Sequence, residues 1–149
     1  MLSQQTLRKP ARVSGAGLHS GNRVNLTLLP APAGSGIRFR RTDLDGSPEI
    51  EALAENVADT QRSTTLTKGN IRIHTVEHVL AALSGFGIDN AIIELDASEP
   101  PIGDGSSAAF NEAIEKSGVE KLDNHRVLYR LVEPIELQAG DSHVAAFPH

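Results

Sequence analysis

Val24, Leu26 and Leu28 alternate with Asn25, Thr27 and Leu29 before Pro30 closes the run, the period-two pattern of a half-buried strand. Ile37-Arg38-Phe39-Arg40 alternates in the same way. Residues 50–53, 63–66 and 71–73 predict shorter strands, with Lys68-Gly69-Asn70 as the turn between the last two. Residues 5–13 predict a first strand, and Pro10, which has no N–H to give a ladder, places it at an edge or a bulge. At Val76 the period changes. Val76, Val79, Leu80, Leu83 and Phe86 follow helical spacing, Thr75 has the hydroxyl expected of an N-cap, and Gly85 and Gly87 supply the stop. Residues 91–95 read as another strand. A second helix is expected at about 107–116, with Ala109, Phe110, Ala113 and Ile114 on its apolar face and Gly118 ending it. Strands interleaved with two helices predict an α+β fold, a two-layer sandwich of a mostly antiparallel sheet with both helices packed on it.

Beyond Lys121-Leu122-Asp123-Asn124-His125 a new alternating segment covers 127–137, turns at Ala139-Gly140-Asp141 and returns through Val144-Ala145-Ala146-Phe147. Gly21-Asn22-Arg23-Val24 is faintly echoed by Gly140-Asp141-Ser142-His143-Val144, although hairpins in general look like this. The expected organisation is an N-terminal α+β domain over 1–124 and, over 125–149, the opening strands of a second, similar domain that is incomplete. The length of 149 residues fits one domain, or one domain with part of another.

Composition narrows the classes. With four Phe, one Tyr and no Trp, the core must be built from Val, Ile, Leu and Ala. A formal charge of −5 argues against a nucleic-acid partner, and the basic runs at Arg8, Lys9, Arg12 and at Arg38, Arg40, Arg41 read as solvated strand faces. The absence of cysteine removes disulfides, thiolate metal sites and thiol nucleophiles together. The N-terminus lacks an apolar segment of signal-peptide length, and no stretch approaches the roughly 20 apolar residues of a membrane span, so a cytoplasmic protein without stable membrane insertion is expected.

Candidate chemistry is concentrated in His74-Thr75-Val76-Glu77-His78. If the helix reached back to His74, His74 and His78 would share one face, as in an inverted zincin, with Glu77 polarising a bound water. Such short motifs also arise by chance. An N-cap at Thr75 leaves His74 outside the helix and reduces the set to one ligand, His78, beside Glu77. There the helix dipole favours an ionised carboxylate, although an ordinary first-turn acid satisfies the same pattern. The Gly15-Ala16-Gly17…Gly21 loop misses the dinucleotide fingerprint and precedes a strand, so it reads as a hairpin connection with His19 at its tip. Asp104 within Gly103-Asp104-Gly105-Ser106-Ser107 would repel an anion, and capping is the better reading of that loop.

Five segments, Gly17-Leu18-His19-Ser20-Gly21, Asp59-Thr60, Thr75-Val76-Glu77-His78-Val79-Leu80-Ala81-Ala82-Leu83, Gly87-Ile88-Asp89-Asn90 and Pro101-Ile102-Gly103-Asp104-Gly105-Ser106, occur in one order along the chain. In that order they resemble the UDP-3-O-acyl-N-acetylglucosamine deacetylases, zinc enzymes of the first committed step of lipid A synthesis in Gram-negative bacteria. The resemblance implies two similar α+β domains with the active site between them, and hydrolysis of the 2-acetyl group of an acylated UDP-sugar. It makes His78 a Zn2+ ligand and Glu77 the general base on zinc-bound water, and it places His19 and Ser63 near the substrate. Position 63 is often Cys in that family, and Ser63 removes a possible thiolate ligand. The other two zinc ligands and the catalytic acid of the family have no counterpart in these residues. This implies an N-terminal portion that needs the rest of the same enzyme and is inactive alone. Two alternatives stand beside it. One is a free-standing inverted-zincin metallohydrolase using His74, His78 and Glu94 or Glu99, and the other a non-catalytic module that keeps the fold.

Overall fold

The computed structural model describes residues 2–149. Its centre is a five-stranded sheet made of β2 (Ala11–Ala16), β3 (Arg23–Pro30), β9 (Ala91–Leu95), β4 (Ile37–Arg41) and β5 (Glu49–Glu51), in that spatial order. All neighbours are antiparallel except β4 and β9. The alternation read from the sequence becomes two faces here. Val24, Leu26, Leu28, Phe39, Ile50, Ile93 and Leu95 are buried on the helix side. The opposite side carries ion pairs across strands, Arg40 with Glu49 and Glu94 and Arg38 with Glu51. Arg41 departs from the expected solvated face. It is buried, its guanidinium meets the Asp43 carboxylate and donates to the Arg72 carbonyl, so it belongs to the framework and not to a basic surface.

Two helices cover the apolar face. The first, α1 (Glu77–Gly85), buries Val79, Ala82 and Leu83; the second, α2 (Ala108–Ser117), buries Phe110, Ala113, Ile114 and Ser117. Ala109, expected on the apolar face of α2, is exposed instead. The glycine stop of α1 works as the spacing suggested. Gly87 sits at φ +67, its N–H donates to Ser84 O (3.0 Å), and Ile88 N–H donates to Leu83 O (2.9 Å). That is a Schellman closure, with Ile88 and Leu83 meeting in the core.

Three shorter sheets complete the molecule. β1 (Ser3–Leu7) pairs with β10 (Val119–His125). β6 (Val57–Asp59), β7 (Thr65–Lys68) and β8 (Ile71–Ile73) form a three-stranded meander, and β11 (Ile135–Ala139) pairs with β12 (Ser142–Ala146) in a hairpin. The α+β class with a mostly antiparallel sheet is therefore correct, and several boundaries are not. The single strand expected over 5–13 is two strands in different sheets, because the chain leaves β1 at Arg8, passes Pro10 and enters β2 at Ala11. β6 and β10 carry no apolar alternation strong enough to predict them. In the alternating segment 127–137 only the last residues are strand, and 126–134 forms no regular element. Hydrophobic periodicity marks a strand only where a neighbour supplies the ladder, and 126–134 has no such neighbour.

β1 is tied to the central sheet by polar groups. The buried Thr6 hydroxyl donates to Asn90 O (2.7 Å) and accepts from Ala31 N–H (2.9 Å). Asn90, equally buried, accepts from Gly36 N–H and donates to Gln4. With these bonds made, no buried side-chain nitrogen or oxygen among the described residues lacks a partner.

Candidate functional site

The β7–β8 hairpin delivers the chain to His74, and three residues later α1 begins at Glu77. Thr75 is not the cap. The N-cap position is Val76, without a side-chain cap bond, and Thr75 lies before it at φ +55 with its side chain buried. A β-branched residue in the left-handed region is strained by roughly 1–2 kcal/mol. The Thr75 hydroxyl is occupied elsewhere, donating to Glu99 Oε1 at 2.7 Å. His74 lies on the connection and outside the helix, its backbone N–H on Ser98 O (2.9 Å) and its Nδ1 3.1 Å from the Thr65 hydroxyl. Burial, with the Arg72 charge adding to it, lowers the pKa of this imidazole below the ordinary value.

Glu77 opens α1 and is half-buried. Its Oε2 accepts from Thr64 N–H at 2.9 Å, while Val76 N–H donates to Thr64 O at 3.2 Å. This pair of bonds fastens the helix start to the segment holding Ser63. The carboxylate sits at the N-terminal end of α1. His78, the next residue, is also half-buried.

A polar cleft of about 430 Å³ lies alongside, lined by His19, Asp59, Arg62, Ser63, His74 and Glu99 among others. Two of the residues predicted to lie near substrate, His19 and Ser63, thus share one cleft although 44 positions separate them (63 − 19). Glu77 adjoins it through Thr64. Neither Glu77 nor His78 is part of the lining.

The sequence marks one further residue of this site, Glu99, only as an alternative metal-ligating carboxylate. Glu99 is 1% exposed and accepts from His19 N–H on both oxygens (3.1 Å each), from Ser20 N–H (2.9 Å) and from Thr75. Burial opposes its charge, and the hydrogen bonds from Thr75, Ser20 and His19 outweigh that cost, so the carboxyl is lowered to about 2. Its only sequence signal is Gly17, where a Cβ would overlap the Glu99 carboxylate and the Ser20 hydroxyl.

The inverted-zincin arrangement is not formed. His74 is off the helix, Glu94 is paired with Arg40, and Glu99 is committed to its three partners. Among the described residues, no group of three or more His, Asp or Glu side chains converges as a metal site. A zinc site needs three protein ligands plus water, or four ligands, so these residues do not by themselves fit the ion that the resemblance implies.

The geometry defines an α+β protein with a polar cleft beside a carboxylate and an imidazole on the first turn of one helix. A family model described as UDP-3-O-acyl N-acetylglycosamine deacetylase matches residues 4–149, and the chain belongs to that family. It is 47% identical to the UDP-3-O-acyl-N-acetylglucosamine deacetylase of Idiomarina loihiensis over 100% of this chain and 49% of that protein. It is also 47% identical to the enzymes of Cellvibrio japonicus and Saccharophagus degradans, over 99% of this chain and 49% of each. The chain thus spans about half the length of the curated relatives it matches. Among the described residues, no helix is long and apolar enough to cross a membrane.

Proposed function

We propose that this chain is the N-terminal portion of a zinc-dependent deacetylase that hydrolyses the 2-acetyl amide of a UDP-3-O-acyl-N-acetylglucosamine, the committed step of lipid A synthesis in the Gram-negative cytoplasm. The observation that carries the reading is the placement of Glu77 and His78 on the first turn of α1, fastened through Thr64 to the cleft that holds His19 and Ser63. His78 supplies one nitrogen ligand, and the remaining ligands and the acid come from a second domain that opens with the β11–β12 hairpin. A zinc ion completed by those further ligands would supply Lewis-acid chemistry at the amide. Glu77 takes the proton of the attacking water on its carboxylate, a role that needs the ionised form at neutral pH. His19 and Ser63 line the side of the cleft that receives the sugar nucleotide. The share of length matched in the relatives and the missing ligand set support a division of the site between two halves.

The test compares the full-length protein with residues 1–149. The full-length protein is expected to deacetylate the UDP-sugar and to carry zinc stoichiometrically, and Glu77→Gln is expected to lower its kcat by roughly 10²–10⁴. Residues 1–149 alone are expected to be inactive and to bind zinc weakly. Tight, stoichiometric zinc in the 149-residue chain would contradict the divided site.

A further inference from the structure

The segment 98–102, which follows β9, touches both parts of the site. Ser98 O accepts from His74 N–H at 2.9 Å, and Ile102 N–H donates to Ala16 O at 2.9 Å. Between them the Glu99 side chain reaches the backbone of His19 and Ser20 on one side and the Thr75 hydroxyl on the other. His19 lies on the β2–β3 loop and Thr75 on the β8–α1 connection, segments otherwise joined to different sheets. A Cβ at Gly17 would overlap the Glu99 carboxylate and the Ser20 hydroxyl, so the loop passes directly against that carboxylate. Thr75 is held at φ +55, a conformation that a threonine adopts only when its surroundings enforce it.

We propose that Glu99 is a positioning residue, whose buried carboxylate clamps the His19 loop and the left-handed Thr75 together and so sets both the substrate side of the cleft and the direction in which α1 presents Glu77 and His78. The proposal rests on the functional reading above for its kinetic consequences and on geometry alone for the clamp itself. Three donors from two segments converge on one anion that is shielded from water, and charge-assisted bonds of this kind are the stronger ones. The Thr75 bond sets the helix start. The two amide bonds set the loop. The two arms therefore separate in kinetics. Loss of the Thr75 arm changes the placement of the base and lowers kcat, and loss of the loop arm raises KM.

The experiment uses the full-length protein. Thr75→Val keeps the shape and removes the donor. It is expected to lower kcat at least tenfold with KM within about twofold, since small misplacements of reacting groups cost up to about 10²-fold. Glu99→Gln is expected to lower kcat and to raise KM severalfold. Adding Thr75→Gly to Glu99→Gln, which removes the backbone strain that the clamp opposes, is expected to recover most of the lost kcat and none of the KM. Hydrogen exchange at the His19 and Ser20 amides reads the clamp without any activity, and at least tenfold faster exchange is expected in Glu99→Gln. Should Glu99→Gln not fold, Thr75→Val still decides the kcat arm, and slow exchange of the His19 and Ser20 amides in the unsubstituted protein decides the loop arm. Unchanged amide exchange in folded Glu99→Gln, parallel changes in kcat and KM for Thr75→Val, or no kcat recovery in the double variant would each overturn the proposal. A full-length protein without deacetylase activity but with the expected exchange behaviour would remove the functional reading and leave the clamp standing.

Discussion

The body formed by β1 to β10 with its two helices and the hairpin β11–β12 are written in the same alternating pattern and end in opposite states. In the body, Leu26, Leu28, Phe39 and Ile93 are at most 1% exposed; in the hairpin and its approach, Tyr129 is 97% exposed, Val132 87% and Leu137 72%. The local geometry of the hairpin is regular, with Ile135 facing Ala146 and Ala139 facing Ser142 around Gly140 at φ +58. What it lacks is a second layer. Alternation specifies that a strand has two faces; burial of one requires another element to lie on it, and a lone two-stranded hairpin is at best marginally stable. The body has α1 and α2 for this purpose.

The sharpest test of the contrast is a pair of truncations. Phe110→Ala removes a buried ring from α2 and is expected to lower the unfolding free energy by about 3–5 kcal/mol. Leu137→Ala is expected to change it by less than about 0.5 kcal/mol. Both are read from denaturant midpoints, and a comparable cost at Leu137 would mean that the hairpin is covered in solution.

Acid provides a second difference, because the body holds a buried carboxylate and the hairpin none among its described residues. Glu99 has its carboxyl lowered in the folded state from 4.5 to about 2. Its contribution is therefore complete above pH 4.5 and is lost as the pH falls toward 2, by about 3 kcal/mol in all. Thermal melts between pH 5 and 2 are expected to fall steeply for the unsubstituted chain and less steeply for Glu99→Gln. Parallel curves would show that the carboxyl is not linked to folding.

Gly87→Ala places a Cβ where φ is +67 and where Arg126 Nη2 and Gln5 Nε2 lie within 2.9 Å. A loss of about 1–2 kcal/mol is expected, visible as a lower melting temperature. Within the body, the smallest of these losses is expected where it joins the hairpin. Arg126 pairs with Asp89 at 2.8 Å and donates to Gly87 O, holding the chain to the end of α1 just before it leaves the body. Arg126→Ala is expected to cost about 1 kcal/mol, with hydrogen exchange rising at β10 and not at the centre of the sheet.

The helices, the central strands and the glycine stop of α1 were legible because each follows from near neighbours along the chain: helical spacing from Val76 to Phe86, alternation from Val24 to Leu28, a left-handed residue at Gly87. Glu77 and His78 stand out as candidate chemistry for the same reason, being adjacent. β6 and β10 were not, since their pairing partners lie elsewhere in the sequence and their own residues carry no alternation. The cap assigned to Thr75 failed for a related reason. A threonine before a helix has a good local use for its hydroxyl, and a buried carboxylate 24 positions away offered a better one. Arg41 was misread in the same manner, its solvated-face pattern overridden by Asp43 and the Arg72 carbonyl.

By itself the sequence determined the α+β class, the two helices, the absence of thiol chemistry and the five ordered motifs that mark the family. Those depend on residue type and spacing, which short-range sterics and side-chain burial turn directly into elements. Only the tertiary structure decided that His19 and Ser63 share a cleft, that His74 stands off the helix, and that Glu99 joins the two segments of the site. Each of these is a contact between residues distant in the chain, and its free energy depends on how the sheets bring them together.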